Sequence, residues 1–339
     1  MIEVQHNLEM DRAFHNLRNS MLLANQYMLL LEKYKDRVLA PPKEKELLKE
    51  LTGFLGHTPN IVFNADEVLE NAYYKDVKLD SVDYKTVKCK NSTILKRQVI
   101  GMDFSSPFGS YLMIQHPVGY FTQNIQVPVL KQGNKVWMSP TISEMSSMKK
   151  GIDRGHGNCL TFGLGIGVLA YLWLLKDTVK SVTVIENNPD VIHIFKTFIL
   201  PQFKTTKRLT IIEGDAFEYY TEEFMKDYDY TYVDFWENNH DGLSIYKKLM
   251  EKKIKNIDID YWIEDSILYD VKFTIVPYLL NLYTGKEIYD YILSTRGTTR
   301  EIAVKANRYF KACGKVISTE EELLGLIHSK EILREILAL

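Results

Sequence analysis

The stretch LTFGLGIGVLAYLWL, residues 160–174, places three glycines at alternate positions between apolar residues. Gly163, Gly165 and Gly167 permit close backbone approach, because glycine has no side chain and accepts left-handed backbone angles. The residues before the glycines are typical of a strand, and those after them of a helix. This order predicts a loop whose backbone N–H groups and following helix N-terminus face a ligand.

A membrane-spanning segment is the first alternative, because residues 158–175 carry no charge over eighteen positions. That length is near the threshold for a membrane span. Three glycines would weaken such a helix by about 1 kcal/mol each. The following SVTVIENNPDVI, residues 181–192, returns at once to strand-like alternation. We therefore expect a buried strand, turn and helix, and no association with a membrane.

Length and charge set the class of protein. The 339 residues are 45% hydrophobic, enough for a full core. With 42 basic and 44 acidic residues the formal net charge is −2, which disfavours nucleic acid and anionic membranes as partners. Cys89, Cys159 and Cys313 show no CxxC spacing, which argues against disulfides or a zinc site. The first residues lack the apolar segment of a secretory signal, so we expect a cytoplasmic protein.

Changes in the secondary-structure pattern of the sequence divide the chain into four predicted regions. Residues 1–84 are helical, 85–150 form a β-hairpin module, 151–270 form a sheet core, and 271–339 are helical. Residues 6–37 and 43–56 predict the first two helices. The β-rich runs of the second region are separated by Asn-Ser, Pro-Phe-Gly, Pro-Val-Gly and Gln-Gly-Asn, which predict turns. In the last region Thr319 and Glu322 form a capping-box pattern.

The core alternates strands and helices, which indicates a parallel sheet with crossover helices. The predicted strands cover residues 159–162, 182–185, 209–212, 230–233 and, less clearly, 257–264. CGKVIS, residues 313–318, is a candidate for a further strand. The predicted fold class is therefore α/β, with a Rossmann-like parallel sheet between the N-terminal regions and a helical C-terminal region.

The glycine spacing distinguishes two kinds of nucleotide loop. The dinucleotide fingerprint GxGxxG/A needs a small third residue where Val168 stands. The GxGxG of Gly163, Gly165 and Gly167 instead resembles the nucleoside loop of class I S-adenosylmethionine (SAM) methyltransferases. The resemblance covers residues 155 to about 265, and it implies that the three glycines hold the methionine and ribose portion. The acid that many family members carry two residues before the first glycine is Thr161 here.

Acidic residues follow three further predicted strands. Glu186 ends the second strand, where a carboxylate can accept hydrogen bonds from both ribose hydroxyls. The alternative is that Glu186 is a solvated residue at a strand end. Asp215 and Ala216 follow the third strand, where the resemblance implies contact with adenine, and Asp215 also suits a helix N-cap. Asp234 follows the fourth strand. Ligands of open parallel sheets lie outside these strand ends, so we expect one shared site.

The sequence after the fourth strand suggests the acceptor side. A sulfonium donor needs mainly an aligned nucleophile and exclusion of water. Asp234 is the candidate catalytic residue, to hold or deprotonate an amine. Trp236 faces a cation or is a core aromatic residue, and Glu237 is a second substrate candidate. A metal set of Glu237, Asn238, His240 and Asp241 is disfavoured, because a loop after a strand is usually polar, and we expect no metal.

A β-hairpin module before such a core resembles the aminopropyltransferases, the spermidine synthase group. MSPTISEM, residues 138–145, with Glu144, is similar to their helix before the core. Two departures stand against this resemblance. Their glycine run carries an Asp where this chain has Ile166, and their loop after strand four differs from Asp234-Phe-Trp-Glu-Asn.

Three functions remain open from the sequence. The first is a SAM-dependent methyltransferase of spermidine-synthase-like architecture, acting on a small or amine-bearing acceptor. The second is an aminopropyltransferase that uses decarboxylated SAM. The third is a non-catalytic SAM-binding or nucleoside-binding protein that recruits a partner through its helical ends and the KKLMEKKIKN run, residues 247–256, although that run also suits a solvated helix face. A homodimer is possible in each case.

Overall fold

The structure, a computed structural model, describes residues 1–79, 81–102, 106–107, 111–112, 114–115 and 117–339. The strands are β1 (Glu3–Val4), β2 (Val82–Tyr84), β3 (Val87–Ile94), β4 (Ile100–Gly101), β5 (Ser106–Pro107), β6 (Ile114–Gln115), β7 (Val118–Gly119), β8 (Ile125–Gln132), β9 (Lys135–Met138), β10 (Gly157–Phe162), β11 (Val179–Glu186), β12 (Arg208–Glu213), β13 (Tyr230–Val233), β14 (Ile259–Tyr261) and β15 (Val316–Ile317). The helices are α1 (Leu8–Tyr34), α2 (Pro41–Leu55), α3 (Asp66–Leu69), α4 (Ala72–Asp76), α5 (Ile142–Arg154), α6 (Val168–Leu175), α7 (Pro189–Ile194), α8 (Ala216–Tyr219), α9 (Glu222–Met225), α10 (Asn239–Glu251), α11 (Glu264–Tyr283), α12 (Ile288–Ser294), α13 (Gly297–Cys313), α14 (Glu320–His328) and α15 (Lys330–Leu337).

A five-stranded parallel sheet forms the centre of the fold, in the order β12-β11-β10-β13-β14. The predicted α/β class, with a parallel sheet and a helical C-terminal region, is confirmed. The first four strands match their predicted positions to within three residues at each end, and the fifth is shorter than predicted. In this order the chain reverses direction across the sheet between β10 and β13, which leaves a crevice at their carboxyl ends.

The charge-free stretch of residues 158–175 is a buried strand and a buried helix. Six of the eight residues of α6 are buried, and Trp173 donates its indole N–H to the carbonyl of Gly151 at 3.0 Å. Because α6 is apolar on every side, it has to lie inside the molecule. Among the described residues, no helix is long and apolar enough to cross a membrane.

An antiparallel sheet of the order β2-β3-β8-β9 precedes the core. The predicted turn after Gln132 joins β8 to β9, with Gly133 at φ +59°. The predicted Asn-Ser turn is wrong: residues 91 and 92 lie inside β3, where the Asn91 side chain donates to the carbonyl of Leu79 at 2.8 Å. The predicted Pro-Val-Gly turn is also wrong, because Val118 and Gly119 pair with β4. Of the predicted Pro-Phe-Gly turn, Pro107 ends β5, and the other two residues lie outside the described residues.

The two ends of the chain pack together. β1 pairs in parallel with β15, so the candidate strand at residues 313–318 forms but joins a separate two-stranded sheet. One hydrophobic cluster combines Met10 and Phe14 of α1 with Ile275 of α11 and Phe310 of α13. The predicted boundary at residue 270 falls within α11, whereas the capping box of α14 is present as predicted.

A buried carboxylate connects the last helix to the core. Glu264, at the start of α11, is 4% exposed and accepts a hydrogen bond from Arg334 Nε at 2.8 Å. The Tyr246 hydroxyl of α10 donates to the same oxygen, and Lys330 Nζ lies 3.3 Å from the other one. Three helices therefore meet at one charge that is removed from water.

We predict that Glu264→Ala lowers the free energy of unfolding by about 3 kcal/mol, because it leaves the guanidinium of Arg334 without its partner. Urea denaturation measures this change. The matched control is Asp153→Ala, which removes the exposed partner of Lys149 and should leave the stability nearly unchanged. Equal effects of the two substitutions would contradict the anchoring role of Glu264.

Candidate functional site

A cavity of about 660 Å³ lies at the carboxyl edge of the parallel sheet. The chain segments that follow four successive strands border it: residues 163–165 after β10, 186–191 at the end of β11, 214–217 after β12, and 234–236 after β13. The strand order places these segments together at the point where the sheet topology reverses. These four segments therefore border one crevice, which holds most of the residues that the sequence singled out.

Two neighbouring groups lie so close to the glycine loop that they leave no room for a side chain there. Gly163 has φ +101°, and a Cβ there would lie 1.9 Å from the carbonyl oxygen of Asp234. Gly165 has φ +53°, and a Cβ there would lie 2.7 Å from the sulfur of Met138. Any other residue would therefore force the loop away from both neighbours. Gly167 instead caps α6 and does not line the cavity.

Glu186 is part of the loop's own support. Its carboxylate accepts the backbone N–H of Leu164 at 3.0 Å and the backbone N–H of Asn188 at 2.8 Å. Burial raises the pKa of Glu186, against the opposing effect of these hydrogen bonds. The side chain lines the cavity, so it can accept further hydrogen bonds from a ligand hydroxyl.

Asp215 has the N-cap role that the sequence allowed. It is exposed, it precedes α8, and its carboxylate accepts the backbone N–H of Phe217 at 2.8 Å. Asp215 and the buried Ala216 also line the cavity. A helix cap and a ligand contact are compatible, because a carboxylate can accept about four hydrogen bonds.

Asp234 is the recessed acid of the cavity. Burial raises the pKa of its carboxyl to about 7. Among the described residues, no side chain or backbone N–H within hydrogen-bonding distance donates to this carboxylate. Its backbone N–H donates to Phe162 at 2.9 Å, which fixes the residue beside the glycine loop. Such a group exchanges a proton near neutral pH and attracts a cation when it is ionised.

The acceptor-side candidates separate into two groups. Trp236, which is 3% exposed, and Glu144 both line the cavity. Glu144 also accepts the backbone N–H of Ser139 at 2.9 Å. Glu237 does not line this cavity: it lies 2.9 Å from Lys135 Nζ and borders a second, smaller cavity.

Sequence reasoning missed the contribution of the hairpin sheet. Gln132, Thr86 and Trp137 line the cavity from that sheet. The side-chain carbonyl of Gln132 accepts the indole N–H of Trp137 at 3.2 Å, and its side-chain NH₂ donates to the Thr86 hydroxyl at 3.2 Å. The one feature of the sequence that could have indicated a role for Gln132 is its position at the start of a predicted turn. Contact with the core strands could not be predicted from it.

The charge of the cavity is one-sided. Its lining includes five carboxylates, and no Lys, Arg or His lines it among the described residues. The five carboxylates belong to Glu144, Glu186, Asp190, Asp215 and Asp234. Lys85 lies 3.2 Å from Asp190 but outside the lining. A field of one sign in a recessed cleft favours a cationic ligand.

The acidic residues near this cavity do not form a metal centre among the described residues. Within the described residues, no group of three or more His, Cys, Asp or Glu side chains is arranged to hold a metal ion. The Asp241 carboxylate near Glu237 accepts the backbone N–H groups of Glu237 and Asn238, both at 2.9 Å. This side chain therefore caps α10.

The site and the sheet define an α/β protein with an acidic cavity at the topological reversal. No protein-family model and no curated protein sequence match the chain. Among solved structures, a spermidine synthase from Thermotoga maritima aligns with 48% of the chain at 14% identity and a TM-score of 0.33. A spermidine synthase in complex with the transition state analogue AdoDATO aligns with the same share of this chain, at the same identity and TM-score.

A shikimate dehydrogenase from Mycobacterium tuberculosis aligns with 58% of the chain at 12% identity and a TM-score of 0.23. The aligned part covers 60%, 61% and 57% of these three structures. The chain thus spans about three fifths of the length of each. Alignments this divergent add nothing to what the sheet order already shows.

We predict that Asp234→Asn stabilises the ligand-free protein more at pH 8 than at pH 5. The raised pKa means that the native carboxyl binds a proton more readily than the unfolded one, so stability falls as pH rises from about 4 to about 7. The advantage of the variant should grow by about 3 kcal/mol between the two pH values. Urea denaturation at both pH values measures it, and a pH-independent difference would contradict the assignment.

Proposed function

We propose that this chain is a transferase that binds a sulfonium nucleoside, SAM or its decarboxylated form, and moves a carbon group to an amine-bearing small molecule. One observation carries the proposal: the glycine loop, Glu186 and Asp215 line the same acidic cavity as the recessed Asp234. A sulfonium donor is a cation, so the charge of the cavity suits it.

The donor occupies the glycine-loop side of the cavity in this proposal. Glu186 accepts hydrogen bonds from the ribose hydroxyls, and Asp215 with Ala216 borders the adenine. Gly163 and Gly165 let the backbone approach the remainder of the donor. The hairpin sheet covers this side through Gln132, which excludes water from the reacting atoms.

Asp234 carries the acceptor chemistry. The lone pair of the acceptor nitrogen forms a bond to a carbon of the sulfonium, the carbon–sulfur bond breaks, and its electron pair neutralises the sulfur as a thioether. The nitrogen gains a positive charge and releases a proton, which the ionised Asp234 carboxylate accepts. A pKa of about 7 suits this step, because a general base works best when its pKa is near the ambient pH.

Methyl transfer from SAM is the first form of the proposal. The aminopropyltransferases carry an Asp at the position of Ile166, according to the resemblance described above. Ile166 is fully buried, and only its backbone takes part in hydrogen bonds, with the Tyr73 hydroxyl at 2.6 Å and the Met138 sulfur at 3.4 Å. An aminopropyl donor would therefore lack that carboxylate here.

Aminopropyl transfer from decarboxylated SAM is the second form, and the cavity charge favours it. SAM carries a carboxylate, whereas the decarboxylated donor is more positive by one charge. None of the described lining residues is a cation that would neutralise the carboxylate of SAM. The acidic lining therefore supports the more positive donor, while Ile166 supports methyl transfer.

We expect Glu186→Ala to weaken donor binding at least tenfold, about 1.4 kcal/mol, because it removes the acceptor of the ribose hydroxyls. Calorimetric titration with SAM, decarboxylated SAM and NAD in parallel measures binding and identifies the donor. The matched control is Glu213→Ala. Glu213 lies opposite Glu186 on the neighbouring strand β12, but it does not line the cavity. Equal donor affinity in the two folded variants would remove Glu186 from the site.

Asp234→Asn distinguishes an enzyme from a binding protein. We expect product formation from the preferred donor and an amine to fall by at least a hundredfold, since the variant cannot accept a proton. Donor affinity should stay within a few fold of that of the wild-type chain. Full turnover by the variant would exclude Asp234 as the proton acceptor, and absence of turnover in the wild type would favour the non-catalytic protein.

A further inference from the structure

A second cavity of about 290 Å³ lies beside the first. Met28 and Leu31 of α1 line it together with Val99 and Val118 from the segment that includes β4 and β7. Residues 237–240, which end the loop after β13 and begin α10, supply polar lining. The cavity is therefore built from parts of the chain that lie far from the glycine loop in sequence.

The two cavities share one boundary. The segment from the end of β13 to the start of α10 lines the first cavity with residues 234–236 and the second with residues 237–240, and Trp262 lines both. The backbone N–H of Trp262 donates to Val233 at 2.9 Å, directly before Asp234. Its indole N–H donates to Ser147 of α5 at 2.8 Å. The tryptophan is thus held at the boundary from two sides.

The residue after this tryptophan has a strained backbone. Ile263 lies in the left-handed region at φ +46° and ψ +28°, which is exceptional for a β-branched side chain. Ile263 lines the second cavity. Strained residues persist where the surrounding structure holds them, and they are concentrated at binding sites. The strained backbone is therefore a second indication of a binding site, independent of the cavity.

We propose that the second cavity is the distal subsite for the acceptor, and that it takes an uncharged, apolar tail whose amine lies at Asp234. This inference rests on the proposed function. It implies that the acceptor is an amphipathic primary amine, with its tail passing Trp262 into the second cavity.

The charges around the second cavity support an uncharged tail. Glu237 is already paired with Lys135 at 2.9 Å. Glu32 and Lys35 carry opposite charges, and both are exposed. Met28, Leu31, Val99, Val118 and Ile263 supply the apolar surface, and a methionine adapts readily to a ligand of variable shape.

The test uses straight-chain primary amines from propylamine to octylamine, titrated into the full chain by calorimetry. For the wild-type chain we expect Kd to fall about fourfold for each methylene that enters the cavity, until the cavity is filled. Gly101→Leu fills the subsite, because Gly101 lines it and a Cβ there meets no heavy atom within 4 Å. The variant should lose the dependence on chain length.

Gly325→Leu is the matched control, because Gly325 is exposed on α14, lines neither cavity, and has equal space for a Cβ. It should retain the wild-type series. Met28→Ala is a second variant, since Met28 is 41% exposed and its truncation enlarges the cavity. It should move the plateau in affinity to a longer amine.

Three results would overturn the proposal. The first is an affinity that does not depend on chain length in the wild-type chain, and the second is an unchanged series in Gly101→Leu. The third is tighter binding of α,ω-diamines than of monoamines of equal length, which would indicate that the cavity accepts a charge. Each titration is made with and without the donor, so a failure to bind any donor refutes the proposed function separately from the subsite.

Discussion

The contact between Gly163 and Asp234 is the constraint on which the site depends. The carbonyl of Asp234 occupies the space that a Cβ of residue 163 would need, 1.9 Å away. The backbone N–H of Gly163 donates to Ile185, and that of Asp234 donates to Phe162. Three neighbouring strands thus end at fixed positions relative to one another. The glycine loop and the recessed acid cannot move apart without loss of these backbone hydrogen bonds.

The acidic cavity has an energetic consequence for the ligand-free chain. An ionised Asp234 without a hydrogen-bond donor among the described residues is unfavourable, and its raised pKa expresses this cost. A bound cation would offset the cost, because an opposite charge favours the ionised carboxyl. Acceptor binding and the ionisation of Asp234 are therefore coupled: a protonated amine beside Asp234 would favour the ionised carboxylate.

The sequence predicts the core well and the surrounding parts less well, for a physical reason. Strand alternation, the glycine spacing and acids at strand ends are local patterns, and a parallel sheet brings its strand ends to one edge. The turn expected at residues 91–92 failed because pairing with β8 overrides the local preference of Asn and Ser. Glu237 follows the correct strand, but its ion pair with Lys135 of β9 depends on a tertiary contact that no spacing reveals.

The two cavities differ in how the chain assembles them. The glycine loop and the acids at the strand ends come from residues 163–236, so folding of the sheet core brings most of the first cavity together. The second requires α1, whose position depends on the shared core with α11 and on the pairing of β1 with β15. A substitution in the terminal elements can therefore alter the second cavity while the glycine loop keeps its geometry. Under the proposed function, acceptor range can change independently of the donor, because different long-range contacts hold the two halves of the site.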